Sequence, residues 1–233
     1  MTIQSVIAKA LGIGLLLTTA GAVAAPPQAF TATYNVSQAG QPLGVAQVSL
    51  APADNGAWIY RKDLKGTGGL AALLGASVQE SSRLRWKGDV PEAISYDYQL
   101  QAAIKNKQRH LRVDWATNQV TVDEGKGSTT YGAQPGMVER NTLPLALGLA
   151  LRNGQEHIAL PVAVRQTVET QHFKVTGKET ITIPAGRFDA VRVERTDADR
   201  GFTAWYVPKR YLLPVKLSQQ DGGNMQMELV SYQ

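Results

Sequence analysis

The sequence predicts a mainly β protein, an antiparallel β-roll or partly open barrel with one short helix, preceded by a signal peptide. Many short segments alternate apolar and polar residues with period two, turn residues separate many of them, and helical stretches are too few for βαβ crossovers. With 43% hydrophobic and 18% charged residues, the composition is that of a globular protein. The absence of cysteine excludes disulfides, thiol nucleophiles and iron–sulfur clusters, and it removes most kinds of structural zinc site.

The first element is an export signal at 1–24. Lys9 is followed by an apolar stretch at 10–17 and by small residues that end in Ala22-Val23-Ala24. A positive start, a short apolar run and an Ala-x-Ala exit are the three parts of a secretory signal peptide. The apolar run is too short for a membrane span, and no cysteine stands at the cleavage site to carry a lipid. We therefore expect a periplasmic protein that is not a lipoprotein, has no transmembrane span in its mature chain, and forms one β-rich domain at 25–233.

Strand follows strand through the mature chain. The segment at 30–37 alternates apolar and polar residues without a break, which is typical of a half-buried strand. The same alternation predicts further strands at 44–50, 78–86, 94–100, 111–115, 158–164, 167–175, 191–195, 202–207, 215–217 and 225–232. Turn signals stand at 88–89, 125–127, 177–178, 185–186 and 221–223.

Two segments interrupt this pattern. A helix is predicted within 141–154, capped by Asn141 or Thr142, with Pro144 in its first turn and Gly154 after its end. The other segment, 68–75, is an apolar run bracketed by glycines. It is either a short helix or turn that plugs one end of the β-core, or an exposed apolar lid that contacts a lipid or a partner.

Signatures of enzymes and metal sites are missing from the sequence. It contains no nucleophile elbow, no zinc-protease motif, no phosphate loop and no dinucleotide fingerprint. The histidines stand alone on three predicted strands, and the acidic segment at 197–201 lacks the ligands of a calcium loop and reads as a charged turn. We therefore predict a protein that is not an enzyme, with no catalytic residues, cofactors or metal ligands.

Glu80 is the anomaly, since the strand face that carries the apolar residues Val78, Leu84 and Trp86 also carries Glu80 and Ser82. A buried carboxylate must be paired or hydrogen-bonded, so Glu80 is either a structural ion pair or a polar contact inside a ligand cavity. Aromatic residues on the apolar phase of their strands either fill the core or line the same concave face. With Glu80 they make up the predicted ligand-binding set: Glu80, Trp86, Tyr96, Tyr98, Trp115 and Trp205.

A family resemblance rests on the C-terminal third, which contains Pro184-Ala185-Gly186-Arg187-Phe188 and Tyr211-Leu212-Leu213-Pro214-Val215. From about 30 to 232 the chain resembles the bacterial envelope family called domain of unknown function 3108. The resemblance implies an exported antiparallel β-roll and supplies no catalytic residues. Local chemistry predicts structural turn roles in this region, with positive φ at Gly186 and with Glu179 accepting backbone donors of the turn, for Gly177, Glu179, Pro184 and Gly186.

Three functions remain open at this point. The first is non-catalytic binding of an envelope lipid or glycan in the concave face of the roll. The second is a scaffold that binds another envelope protein through a sheet edge or through Leu70–Leu74, and the third is a hydrolase whose carboxylate pair assembles only in space. The 24 basic against 19 acidic residues fit anionic lipid or glycan partners, or plain surface charge, and in an exported protein not nucleic acid.

Overall fold

The computed structural model describes residues 28–198, 201–220 and 223–233, so the predicted signal peptide lies outside the described residues. Within these ranges the N-terminal half contains strands β1 Phe30–Gln38, β2 Gln41–Pro52, β3 Trp58–Gly66, β4 Ser77–Lys87, β5 Val90–Ala102, β6 Lys105–Asp114, β7 Gln119–Asp123 and β8 Ser128–Gly132. The C-terminal half contains β9 Val138–Glu139, β10 His157–Ala163, β11 Val168–Ile183, β12 Gly186–Arg195, β13 Phe202–Tyr206, β14 Lys216–Gln219 and β15 Met225–Tyr232. The helices are α1 Gly69–Leu73 and α2 Leu143–Arg152, with a 3-10 turn at Asp54–Gly56.

All of these strands belong to one sheet. Its order is β8-β7-β6-β5-β4-β3-β2-β1-β15-β14-β13-β12-β11-β10-β9, so most strands pair with their neighbours in the sequence. Every pairing is antiparallel except the short one between β9 and β10. Short turns suffice for such a meander, and the predicted mainly β antiparallel architecture is confirmed.

The sheet curls until its β9 end meets β5. The backbone N–H of Ala93 in β5 donates to the carbonyl oxygen of Met137 at 2.9 Å, next to the start of β9. The Glu92 carboxylate accepts the backbone N–H of Gly136 at 2.8 Å, and the Tyr131 hydroxyl of β8 donates to the Val164 carbonyl just after β10. These contacts bring the two edges of the sheet together as a roll.

Helix α2 fills much of the space that the roll encloses. The prediction of this helix is confirmed, with Thr142 as its N-cap and most of its residues buried. At Gly148 the backbone of α2 approaches the loop that precedes β14, and an added Cβ would lie 1.7 Å from the carbonyl oxygen of Leu212. Only glycine permits this approach.

Two local predictions differ from the structure, and a third is confirmed. The predicted turn at Gly177 is absent, because β11 continues through it with a bulge between Val175 and Gly177. A glycine inside a strand-like segment can indicate either a turn or a bulge, so the sequence alone does not distinguish a turn from a bulge. Glu179 binds no turn donors and instead accepts the indole N–H of Trp205 at 2.6 Å. The hairpin turn at Pro184 and Ala185 is present, and Gly186 has the positive φ expected, at 128°.

Helix α1 does not plug the core. None of its residues is buried, and Leu70 and Leu73 are 69% and 84% exposed. Of the two interpretations of the segment at 68–75, the position of α1 agrees with the second, an exposed apolar segment. Neither α1 nor α2 is long and apolar enough to cross a bilayer, and this holds for every helix in the described part of the chain.

Candidate functional site

A row of polar side chains crosses the inner face of the sheet. Strand pairing places Lys62 of β3 opposite Glu80 of β4, Glu80 opposite Tyr98 of β5, and Tyr98 opposite Arg109 of β6. We call Lys62, Glu80, Tyr98 and Arg109 the charged row. Because side chains alternate between the two faces of a strand, these residues share the face of the neighbouring row, which is buried and consists of Tyr60, Ser82, Tyr96 and Leu111.

Glu80 is the buried centre of the row, with 3% of its surface exposed. Its carboxylate lies 2.7 Å from the Lys62 ammonium group, accepts the Tyr96 hydroxyl at 2.6 Å, and lies 3.8 Å from Nε of Arg140. Burial alone would raise the pKa of Glu80, but Lys62, Arg140 and the bond from Tyr96 outweigh it and hold the pKa below its ordinary value. Glu80 is therefore a charged, paired residue on the inner face.

A second carboxylate, Glu124, closes the far end of the row. Nε of Arg109 donates to Glu124 at 2.7 Å, and the guanidinium of Arg165, which follows β10, also contacts Glu124. Burial alone would raise the pKa of Glu124, whereas Arg109 and Arg165 lower it. Each carboxylate thus faces two cations, and the whole cluster carries an excess of positive charge.

Tyr98 lies between the two carboxylate clusters. The Arg140 guanidinium stands 5.9 Å from the centroid of its ring, within the range of a cation–π contact. Burial, followed by the charge of Glu80, raises the pKa of the Tyr98 hydroxyl, so it stays protonated at neutral pH. Its half-buried ring joins the Glu80 end of the row to the Arg109 end.

A half-buried apolar row borders the charged row. Strand pairing aligns Leu64, Val78 and Leu100, two residues further along β3, β4 and β5, and it continues to Lys107 on β6. All three apolar side chains are partly exposed. On β3, β4 and β5 the inner face therefore changes from polar to apolar over two residues, about 7 Å.

A small, mainly apolar cavity lies on the other side of Lys62. It has a volume of about 30 Å³, and its lining combines the polar groups of Tyr60, Lys62 and Asn141 with apolar side chains such as Val48 and Met227. Nδ2 of Asn141 donates to Ser82 at 2.9 Å, while its buried Oδ1 has no partner among the described residues. A cavity of this size has room for no more than one or two water molecules, so it does not accommodate a larger ligand.

Glu139 is a further buried carboxylate that the sequence analysis did not find. It is fully buried at the end of β9 and accepts the backbone N–H groups of Asn141 and Thr142, at 2.7 and 3.1 Å, and the Thr142 hydroxyl at 2.8 Å. Burial, with the nearby charge of Glu80, raises the pKa of Glu139 despite these bonds. Glu139 thus fixes the start of α2 beside the charged row.

Only part of the predicted ligand-binding set comes together. Glu80, Tyr96 and Tyr98 are neighbours, and Trp86 lies further along β4, where its ring contacts that of Trp58 edge to face with centroids 6.0 Å apart. The Trp115 indole donates to the Ala93 carbonyl oxygen at 3.0 Å.

Trp205 lies apart from this set. On β13, Phe202, Ala204 and Tyr206 are buried, and Trp205 is on the opposite phase, where it contacts Glu179 and Lys216. The expectation that Trp205 lines one face with the other aromatic residues is therefore wrong.

The sequence analysis also did not identify the cations of the site. Lys62 and Arg109 could have been found by extending the strand register from Glu80 to its neighbours. Arg140 and Arg165 reach the row from the other half of the chain, and no periodic pattern in the sequence predicts these contacts. Within the described residues no group of histidine and acidic side chains could hold a metal ion.

Comparisons with known proteins agree with this architecture. The chain is similar to the crystal structure of a beta-barrel-like protein of domain of unknown function DUF1849 from Brucella abortus, with a TM-score of 0.50 and 10% sequence identity over 90% of this chain and 98% of that one. At this identity the likeness concerns the fold alone. No curated protein matches the chain. The model of the family DUF3108, described as a protein of unknown function, matches residues 30–230, so the chain belongs to the DUF3108 family.

Proposed function

We propose that this protein is a non-catalytic component of the bacterial periplasm that binds an anionic envelope lipid or glycan at the charged row. The observation that carries the proposal is the excess of cations on the inner face. Lys62 and Arg140 face the buried Glu80, and Arg109 and Arg165 face Glu124, so four cations accompany these two carboxylates and the neighbouring buried Glu139. An anionic ligand would complete this charge balance.

The two arginines from the C-terminal half are the proposed ligand contacts. The side chains of Arg140 and Arg165 are 55% and 67% exposed, whereas the carboxylates they face are much less exposed. A guanidinium group has five N–H donors in a planar fork that matches phosphate and carboxylate oxygens. One carboxylate contact leaves most of these donors available to a ligand.

The buried carboxylates preorganise the site. Because Lys62 and Arg140 hold the pKa of Glu80 low, the carboxylate remains charged and keeps both cations in place without a ligand. Cations held in this way lose less conformational entropy on binding than free surface side chains do. This supports a fixed binding site over scattered surface charge.

The neighbouring apolar row favours a lipid over a glycan. Leu64, Val78 and Leu100 are half-buried and lie next to the charged row on the same face. A ligand with an anionic head group and an apolar portion would contact both rows, whereas a glycan would use only the first. The 30 Å³ cavity beside Lys62 is far too small for an acyl chain, so the apolar portion would lie along the surface of the row.

The hydrolase alternative requires two carboxylates in a cleft that water can reach. Glu80 and Glu139 are close enough to affect each other electrostatically, but they are only 3% and 0% exposed. Glu139 is also occupied by backbone donors at the start of α2. These facts favour a binding role for the site.

The test is a titration of the exported chain, in separate arms, with dihexanoyl phosphatidylglycerol below its micelle concentration, an acidic oligosaccharide and inorganic phosphate, followed by arginine side-chain NMR. We expect saturable shifts of Arg140 and Arg165, and affinity about tenfold or more weaker in the double variant Arg140→Gln/Arg165→Gln, which loses two charge-assisted contacts. The matched control is Arg61→Gln, because Arg61 is exposed on the opposite face of β3. Binding to none of the three probes, or equal weakening by Arg61→Gln, would overturn the proposal.

The periplasmic part of the proposal has its own test. The sequence motif predicts cleavage after Ala24, so intact-mass measurement of the protein recovered from the periplasm should give a chain that starts at Ala25. Replacing apolar residues of the leader at 10–17 with aspartate should keep the protein in the cytoplasm. Recovery of full-length protein from the cytoplasm of the unmodified strain would contradict export.

A further inference from the structure

Three large apolar side chains are exposed together at one end of the roll. Leu70 and Leu73 of α1 are 69% and 84% exposed, and Ile104 in the turn between β5 and β6 is 81% exposed. The other large apolar residues exposed in the described ranges, Val45 and Val230, reach only 38%. We call Leu70, Leu73 and Ile104 the apolar tip.

Backbone hydrogen bonds hold the tip in place. The N–H of Ala103 donates to the carbonyl oxygen of Leu74 at 3.0 Å, which joins the β5–β6 turn to the residue that ends α1. At the other end of the helix, the N–H of Gly68 donates to the Leu43 carbonyl in β2 at 3.2 Å. An added Cβ at Gly68 would lie 2.5 Å from the Pro42 carbonyl oxygen, so this segment packs directly on β2. The tip is thus a fixed projection.

The charged residues nearest to the tip in the sequence are lysines. Lys65, Lys105 and Lys107 are exposed, and they lie at the ends of the strands that flank the tip. The segments 64–79 and 98–113, which carry the tip and these lysines, contain no aspartate or glutamate. An apolar centre with lysines beside it is complementary to a surface that is apolar inside and anionic outside.

We infer that the apolar tip docks on an anionic lipid bilayer, with Leu70, Leu73 and Ile104 entering the interface and Lys65, Lys105 and Lys107 contacting head groups. Lysine is depleted from protein–protein interfaces, whereas lysine stems extend readily from apolar surface to lipid phosphates. These lysines therefore favour a lipid surface over a protein partner. The docking surface lies outside the charged row and does not require that the row binds a ligand.

The position of the tip also has a consequence for the proposed site, and this consequence alone rests on the proposed function. The apolar row of Leu64, Val78 and Leu100 lies between the charged row and the end of the roll that carries the tip. A bilayer in contact with the tip would therefore face the apolar row first and the charged row next. An anionic lipid could pass from the bilayer to the row without crossing the outer surface of the protein.

Vesicle flotation of the exported chain tests the docking surface. We expect binding to vesicles with about 30% phosphatidylglycerol, weaker binding to pure phosphatidylcholine, and a loss of binding as added salt screens the lysines. The triple variant Leu70→Ser/Leu73→Ser/Ile104→Ser should bind at least about tenfold more weakly, because it loses the apolar contacts. The double variant Lys105→Gln/Lys107→Gln should lose about fivefold for each charge removed.

Matched controls separate the tip from general effects. Val230→Ser removes an exposed apolar side chain of β15, and Lys174→Gln removes an exposed lysine of β11, so neither should alter flotation. Thermal unfolding of each variant confirms that its fold is kept, as expected for exposed residues.

Two results would overturn the inference. The first is absence of flotation of the unmodified chain with the phosphatidylglycerol vesicles. The second is flotation of the triple serine variant at the level of the unmodified chain, which would leave the tip to a protein partner. The triple variant should still bind soluble dihexanoyl phosphatidylglycerol at the charged row, so failure of the docking surface and failure of the ligand site give different patterns.

Discussion

The ammonium group of Lys62 lies 2.7 Å from the carboxylate of Glu80, across two neighbouring strands on the buried face of the sheet. A shift of the pairing by one residue would place the two charges on opposite faces of the sheet. It would then separate Glu80 from the Tyr96 hydroxyl as well. The pair therefore fixes the register of β3 and β4 while it presents the first cation of the charged row.

Glu80→Gln should lower the free energy of unfolding by about 2–4 kcal/mol at neutral pH, because the mostly buried Lys62 would keep its charge without a counterion. The folded-state pKa of Glu80 is below its ordinary value, so the stability it contributes is present above that ordinary value and is lost as pH falls through the lowered pKa. Urea unfolding across this range should show the penalty shrinking toward acid.

The control for this change is Asp63→Asn, which removes an exposed carboxylate from the opposite phase of β3. It should change stability by less than about 0.5 kcal/mol. A Glu80→Gln penalty no larger than that of the control would show that the buried ion pair does not support the fold.

Glu139 should have the opposite dependence on pH. Its folded-state pKa is raised, so its contribution to stability is complete below the ordinary glutamate pKa and is lost as pH rises through the raised value. Glu139→Gln does not titrate, so its free energy of unfolding relative to the unmodified chain should improve as pH increases from about 4 to 8. Urea unfolding at several pH values measures this difference, and a difference that is flat or falls with pH would contradict the raised pKa.

β1 and β3 differ in their inner-face residues, and only β1 was predicted. β1 was predicted because Phe30, Ala32 and Tyr34 keep the inner phase apolar. β3 was missed because Lys62 stands on the same phase and breaks the alternation. A row of charges on a buried face hides its own strand from a search for hydrophobic periodicity.

Long-range contacts account for the rest of what the sequence analysis missed. Arg140 meets Glu80 and Arg165 meets Glu124 only after the sheet has curled through most of its strands. Pattern rules describe neighbours along one strand or helix, and they do not reach pairs of this kind. Glu80 could be identified from its own strand, whereas Arg140 and Arg165 could not.

Gly148→Ala should destabilise the protein strongly, although alanine is ordinarily the better helix former by about 1 kcal/mol. The new Cβ would lie 1.7 Å from the Leu212 carbonyl oxygen, so α2 or the loop before β14 would have to move inside a packed core. We expect a loss of about 2–4 kcal/mol in urea unfolding, or failure to fold.

Gly132→Ala provides the comparison, because an added Cβ there meets nothing within 4 Å and its φ is ordinary. This variant should be neutral or slightly stabilised. Equal unfolding midpoints for Gly148→Ala and Gly132→Ala would show that α2 does not press on this loop.

Tyr96→Phe and Tyr34→Phe form a matched pair that isolates the electrostatic part of the site. Both hydroxyls are buried donors, but Tyr96 donates to the Glu80 carboxylate at 2.6 Å and Tyr34 to the Pro214 carbonyl oxygen at 2.9 Å. Each substitution should cost about 1–2 kcal/mol at neutral pH. The bond from Tyr96 helps to lower the pKa of Glu80, so the Tyr96→Phe penalty should shrink as pH falls and Glu80 takes up a proton. The Tyr34→Phe penalty should stay constant, since its acceptor does not titrate, and parallel pH profiles for the two variants would exclude Tyr96 from the charge balance of the row.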